Sequence, residues 1–172
     1  MVYIVCGCIP LASTNRSYTS VMKHLTHPVT NSHFLDKLTD EDLGFLDSVA
    51  SVDTIGGGHY LFKKGEDANR FYLLRKGTLL VQTITKDGKS YSIMTLNPGE
   101  LAGWSWLFPP YAWNFDGLAL NDCDLIGFDA KLVREKCEED NGFGYRIMKS
   151  LMNSMHDRLT ATRHRLLSPD DD

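Results

Sequence analysis

The stretch PGELAGWSWLFPPYAWNF, residues 98–115, gathers one carboxylate, Glu100, small residues at Ala102 and Gly103, and the rings of Trp104, Trp106, Phe108, Tyr111, Trp113 and Phe115. All three tryptophans of the chain lie in it, and no Lys, Arg or His occurs between Ser90 and Ala130. Whatever sits against this segment meets backbone amides, one carboxylate and aromatic faces, so it reads as a contact site rather than a charged one.

The remaining chemistry-bearing residues do not converge. Cys6, Cys8, Cys123 and Cys137 lack the paired spacing of a metal site and read as reduced thiols of a cytosolic protein. His33 and His59 precede or open the strand-rich region, His156 and His164 fall in the last helix, and no His-X-His with a following Glu occurs. Ser105 sits between two tryptophans rather than in a Gly-X-Ser-X-Gly elbow. No catalytic residue, metal ligand or cofactor is assigned, and the chain is not read as an enzyme. The 172 residues have room for one domain with a proper core, and a formal charge of -4 argues against a nucleic-acid surface. The opening MVYIVCGCIPLAS lacks a basic start and is too short to span a membrane. A cytoplasmic protein without membrane contact is expected.

Stepping along the chain, residues 1–31 read as an unstructured arm with no persistent apolar period, Met22 being an alternative start. SHFLDKL (32–38) is a short helix candidate capped by Ser32. TDEDLGFLDSVA (39–50) is a second, capped by Thr39 or Asp40, with Leu43, Phe45, Leu46 and Val49 as its apolar face. From Ser51 the period falls to two: SVDTI, HYLF, RFYLLRKG, TLLVQTIT, SYSIMTLN, FDGLALN and CDLIGFD alternate with breaks, and Lys86-Asp87-Gly88-Lys89 marks a hairpin. Seven or eight short strands imply a barrel or jelly roll, within an α+β, mainly β, chain.

After the strands, Asp129 caps a helix AKLVREKCEE (130–139), and Asp140-Asn141-Gly142 separates it from a long one beginning near Phe143. In that last helix Met148, Met152, Met155, Leu159, Thr162 and Leu166 are spaced four, three, four, three, four, the seam of a two-helix contact. Tyr145, Ile147 and Leu151 supply a second apolar flank that can hold the barrel. A homodimer through this helix is the expected partner arrangement, against the alternative of one amphipathic helix packed on its own barrel. The organisation is thus an arm at 1–31, a barrel with flanking helices at 32–140, a dimerisation helix at 141–167 and an acidic tail at 168–172.

GHYLFKKG (58–65), FYLLRKG (71–77), Val81 and the Pro98-Gly99-Glu100 turn together resemble the cyclic nucleotide-binding domain of the catabolite-activator (Crp/Fnr-like) superfamily, over about Phe34 to Leu167. The resemblance implies a double-stranded β-helix, or jelly-roll barrel, with flanking helices. It also implies a phosphate-binding cassette, in which the amide end of a short helix cradles the cyclic phosphate, a Glu holds the ribose and an Arg neutralises the charge. By this resemblance Gly99 and Glu100 match, and Leu101, Ala102 and Gly103 occupy the short helix. The place of the Arg falls at about Trp113, followed by Asn114 and Phe115, and Trp104 adds a further ring. Thr162, three residues beyond Arg158-Leu159, stands where the family's last helix touches the base.

A missing charge-assisted contact of about 1.5–3 kcal/mol weakens anion binding roughly ten- to more than a hundredfold. The resemblance therefore implies a stand-alone sensory or regulatory module with a degenerate cassette, binding cyclic nucleotide weakly or taking a flatter, apolar ligand. The alternative is a ligand-free interaction module that pairs with itself or with a full-length regulator. Too few residues follow Leu167 for the family's helix-turn-helix DNA reader, so no direct nucleic-acid contact is expected.

Overall fold

The computed structural model describes Leu25 and residues 32–167, so the rest of the arm, with Cys6, Cys8 and Met22, and the tail at 168–172 lie outside the described residues. The seven runs read as strands all form. They are β1 (Ala50–Ile55), β2 (Tyr60–Phe62), β3 (Arg70–Lys76), β4 (Leu79–Ile84), β5 (Ser90–Leu96), β7 (Asp116–Ala119) and β8 (Cys123–Asp129), joined by a two-residue strand, β6 (Leu101–Ala102). They lie in two four-stranded antiparallel sheets, ordered β1-β8-β3-β6 and β2-β7-β4-β5. This is the expected jelly roll.

Alternation explains the layers. Along β3, Phe71 and Leu73 are buried while Arg70 and Tyr72 are half-buried on the other face. The β4–β5 hairpin closes where Gly88 takes φ +81, with the Thr85 N–H bonded to the Lys89 carbonyl at 2.9 Å. Phe71 is the hub of the core: Trp106 stacks on it at 4.5 Å, Phe128 at 4.9 Å, and Phe34 meets it edge-on at 6.2 Å.

Among the described residues three helices flank the sheets. In α1 (Asp40–Ser48) Thr39 is the cap: its hydroxyl accepts from the Asp42 N–H while the Asp42 carboxylate accepts from the Thr39 N–H. The preceding SHFLDKL is not a helix but a run of turns, with backbone bonds among the described residues from the Leu35 N–H to the Ser32 carbonyl and from the Leu38 N–H to the Leu35 carbonyl. The expected cap fails, since the Ser32 hydroxyl is buried without a partner, and seven residues ended by the Thr39 cap cannot offset helix nucleation. Asp129 caps α2 (Ala130–Glu139), as its sequence indicated.

The last helix, α3 (Asn141–Leu167), divides its faces differently from expectation. Phe143, Ile147 and Leu151 are buried in the core cluster with Ser150 beside them, and half-buried Ser154 and Arg158 continue the same stripe. Tyr145, placed on that flank from sequence, is 66% exposed because helical spacing puts it on the opposite side of α3 from the stripe, with Lys149 over its ring. One residue further round, Met148, Met152, Met155 and Leu159 form an exposed row; Thr162 is half-buried, and the side chain of Leu166 is outside the described set.

Candidate ligand site

The turn that opens the aromatic stretch is closed by its own backbone. The Glu100 N–H donates to the Asn97 carbonyl at 3.1 Å, and the Glu100 carboxylate accepts the Asn97 N–H at 2.7 Å. The Gly99 N–H and the Glu100 carbonyl pair with the two polar groups of Leu74. Leu101 and Ala102 do not enter a short helix; they are β6, paired with Leu73 and Tyr72 and fully buried. Their backbone is thus engaged by β3, with both apolar side chains in the core. The chain then turns at Gly103, φ +90, into a single 3₁₀ turn at Ser105–Leu107.

Trp113 lies where the resemblance put the family's Arg. Its ring stacks on Phe62 with centroids 3.8 Å apart and planes 9° from parallel, and it is buried. A Cβ on Gly103 would fall 2.2 Å from that ring, so the indole lies flat against the glycine backbone. Trp106 fills the neighbouring space on Phe71, with its indole N–H buried and unpartnered.

The segment's lack of basic residues does not make the site free of cations, because the helices supply two. Arg134 of α2 donates to the Trp106 carbonyl at 2.7 Å and covers the Tyr111 ring at 4.2 Å. Arg158 of α3, only 14% exposed, donates to the Leu101 carbonyl at 2.5 Å and lies over the Trp104 ring at 4.5 Å. Its Nε is 4.0 Å from the Glu100 carboxylate. Burial pushes the Arg158 guanidinium below its ordinary value, and nearby Glu100 pulls the other way. An arginine remains charged at neutral pH.

Arg158 stands between two cavities. One, of about 60 Å³, is lined by Phe62, Gly103, Trp104, Trp113, Phe115 and Arg158 together with aliphatic side chains of β4 and β5. The other, of about 310 Å³, opens between α3 and the turn, and includes Gly99, Glu100, Leu101, Asp157 and Arg158. The residues singled out from sequence are therefore split. Gly103, Trp104 and Trp113 face the first cavity, whereas Gly99, Glu100 and Leu101 face the second. Ala102, Asn114 and Thr162 line neither: Ala102 is core, Asn114 is exposed 3.5 Å from the Ser105 hydroxyl, and the Thr162 hydroxyl donates to the Arg158 carbonyl of its own helix at 2.9 Å. Sequence reasoning missed Arg158, although it continues the stripe of Ile147 and Leu151 at helical spacing.

Among the described residues no group of three or more His, Cys, Asp or Glu side chains is placed to hold a metal ion, and no helix is long and apolar enough to cross a membrane. Cys123 and Cys137 are unpaired thiols, Cys137 pushed up to about 11 chiefly by burial.

No curated protein is significantly similar to this chain in sequence. Solved structures share its fold. A cyclic nucleotide-binding domain from Methylobacillus flagellatus KT superposes with TM-score 0.67 at 13% identity, covering 78% of this chain and 76% of its own. The N-terminal domain of a transcriptional regulator from Streptomyces coelicolor A3(2) gives 0.60 at 22% identity, covering 78% and 93%. The sensor domain of the transcriptional regulator DNR from Pseudomonas aeruginosa gives 0.61 at 18%, covering 74% and 86%. At such identities the likeness is one of fold, which agrees with the jelly roll described above. The model of the cyclic nucleotide-binding domain matches residues 53–140, from β1 through the aromatic stretch to the end of α2, and by that match the chain belongs to the cyclic nucleotide-binding domain family.

Proposed function

We propose that the chain is a sensory or regulatory module whose cassette has exchanged cyclic-phosphate recognition for aromatic filling, so that cyclic nucleotide binds weakly and a smaller, flatter apolar ligand is preferred. The carrying observation is Trp113, whose ring occupies the cassette against Gly103 and Phe62. The cavity beside it, about 60 Å³, holds a few waters at roughly 10–15 Å³ each. Pockets for ligands of nucleotide size run to about 300–1,000 Å³. Glu100, the family's ribose ligand by resemblance, is folded back onto its own turn and faces the other cavity. The regulatory half of the reading is supported by the structural neighbours named as a transcriptional regulator and a sensor domain.

Titration with cyclic AMP and cyclic GMP tests it, with tryptophan fluorescence as the readout because Trp104 and Trp113 line the cavity. No saturable change is expected at micromolar nucleotide. Saturation in that range overturns the reading.

A second reading, pairing through α3, has its own observation. Met148, Met152, Met155 and Leu159 are exposed in a row that the barrel does not use, and Met152 is 61% exposed. Thioether and leucine side chains at this spacing pack knobs-into-holes against a second copy. Met152→Glu removes apolar contact without touching the barrel, and sedimentation is expected to show a dimer converted to monomer. An unchanged dimer refutes the seam.

A further inference from the structure

We propose that the pocket between Trp104 and Trp113 recognises a small apolar carboxylate, a single ring or short branched chain bearing one negative charge, and that Arg158 reads that charge. The inference rests on the preceding reading of an altered cassette and names the ligand class it would take.

Arg158 is the starting point because a buried cation demands partners. Its guanidinium carries five N–H donors. Among the bonds the structure gives it, one goes to a strong acceptor, the Leu101 carbonyl, and one to the Met94 thioether at 3.7 Å, a weak acceptor. The nearest carboxylate, Glu100, stays 4.0 Å away and spends its other oxygen on the Asn97 N–H. With one carbonyl, a carboxylate at the edge of ion-pair range and the Trp104 ring at 4.5 Å, the enclosed guanidinium still has N–H donors to spare. An arriving carboxylate would complete it with a two-bonded, planar ion pair.

The two cavities beside Arg158 differ in what they admit. On the larger side Glu100 and Asp157 line the wall and repel an anion. The smaller side has no acidic lining residue: rings and aliphatic groups surround Arg158, with Ser105 as a hydroxyl donor. An anion with an apolar body therefore enters there, its body between Trp104 and Trp113 and its charge toward Arg158. Phe115 and Ile93 at the lining are exposed, so they can turn outward to admit a body larger than the present space. The present space of about 60 Å³ is smaller than the roughly 150 Å³ that accommodates one ring, so that outward turn is a condition of binding, and a nucleotide remains too large.

The consequence is directional. Arg158 holds the Leu101 carbonyl of β6 from α3, so a ligand that competes for the guanidinium alters the tie between the cassette and the long helix.

Calorimetric titration of the whole chain with benzoate, and with benzamide as its uncharged isostere, tests the proposal. Benzoate is expected to saturate below millimolar concentration and benzamide to bind about ten- to a hundredfold more weakly. Arg158→Gln should remove the difference, with Arg158→Lys intermediate because one ammonium cannot form the two-bonded pair. Absence of benzoate binding, or equal affinity for benzamide in the unaltered chain, overturns the inference even if the Arg158 variants do not fold. Cyclic AMP in a parallel arm separates the two claims. Tight binding there defeats the proposed function, whereas silence from both ligands defeats only the carboxylate.

Discussion

Trp113→Ala is expected to lower the folding free energy by about 3–5 kcal/mol, the cost of truncating a fully packed indole. The side chain is 6% exposed and closed on two sides, by Phe62 at 3.8 Å and by the backbone of Gly103. Part of the loss, about 0.5–1.5 kcal/mol, belongs to the ring pair itself, so Trp113→Ala and Phe62→Ala together should cost less than the sum of the two. Urea unfolding measures this as a lower midpoint with an unchanged slope. A loss below about 1 kcal/mol would mean that the ring is not a structural keystone of the cassette.

The same ring fixes what Gly103 can become. At φ +90, with a Cβ landing 2.2 Å from the indole, Gly103→Ala meets both backbone strain and a collision. In a Trp113→Ala background the collision disappears and only the strain remains. The second substitution should then be milder, a coupling that the isolated glycine could not show.

These dependencies mark where the sequence was readable. The period-two runs from Ser51 to Asp129, broken by Gly-containing turns, led directly to seven strands, because side-chain alternation is imposed by the pleat itself. Thr39 and Asp129 were legible as caps for a similar reason, since their side chains serve backbone groups a few residues away. β6 was not legible. Two residues carry no period, and Leu101 and Ala102 are strand only because β3 lies alongside.

The site was half legible. Its rings and its carboxylate could be named from one contiguous stretch, but which cavity each faces depends on the third dimension, and Glu100 proved to face away from Trp104 and Trp113. Arg158 was hidden because the stripe of α3 passes through Ser154, a polar residue that interrupts the apolar signal between Leu151 and the guanidinium. The neighbouring row of Met148, Met152, Met155 and Leu159 carries the stronger apolar period. A cation that arrives from a distant helix leaves no trace in the segment it serves.

Asp42→Asn is expected to destabilise the chain by about 2–3 kcal/mol at neutral pH, somewhat less than the cost of breaking a fully buried pair because Arg146 can regain water. The Asp42 side chain is 2% exposed and Arg146 32%. The pair is two-bonded, at 2.6 and 2.7 Å, and joins α1 to α3 across the end of the barrel. Phe45 meets Phe143 edge-on at 5.4 Å beside it, so the ion pair and the ring pair hold the two helices together. Burial pushes the Asp42 carboxyl up, but hydrogen bonds from Arg146 and Thr39 outweigh it and leave the group below its ordinary value of 3.8. A carboxylate depressed in the folded state contributes stability that is fully present above its unfolded value and is lost as pH falls through the folded one. The parent chain should therefore lose stability progressively below about pH 4, and Asp42→Asn should lose less over the same interval because it has no such proton to take up. Urea midpoints measured across that range for both chains decide the matter. Parallel pH profiles would show that the pair does not carry the acid sensitivity, and an unchanged midpoint at neutral pH would show that it does not clamp the helices.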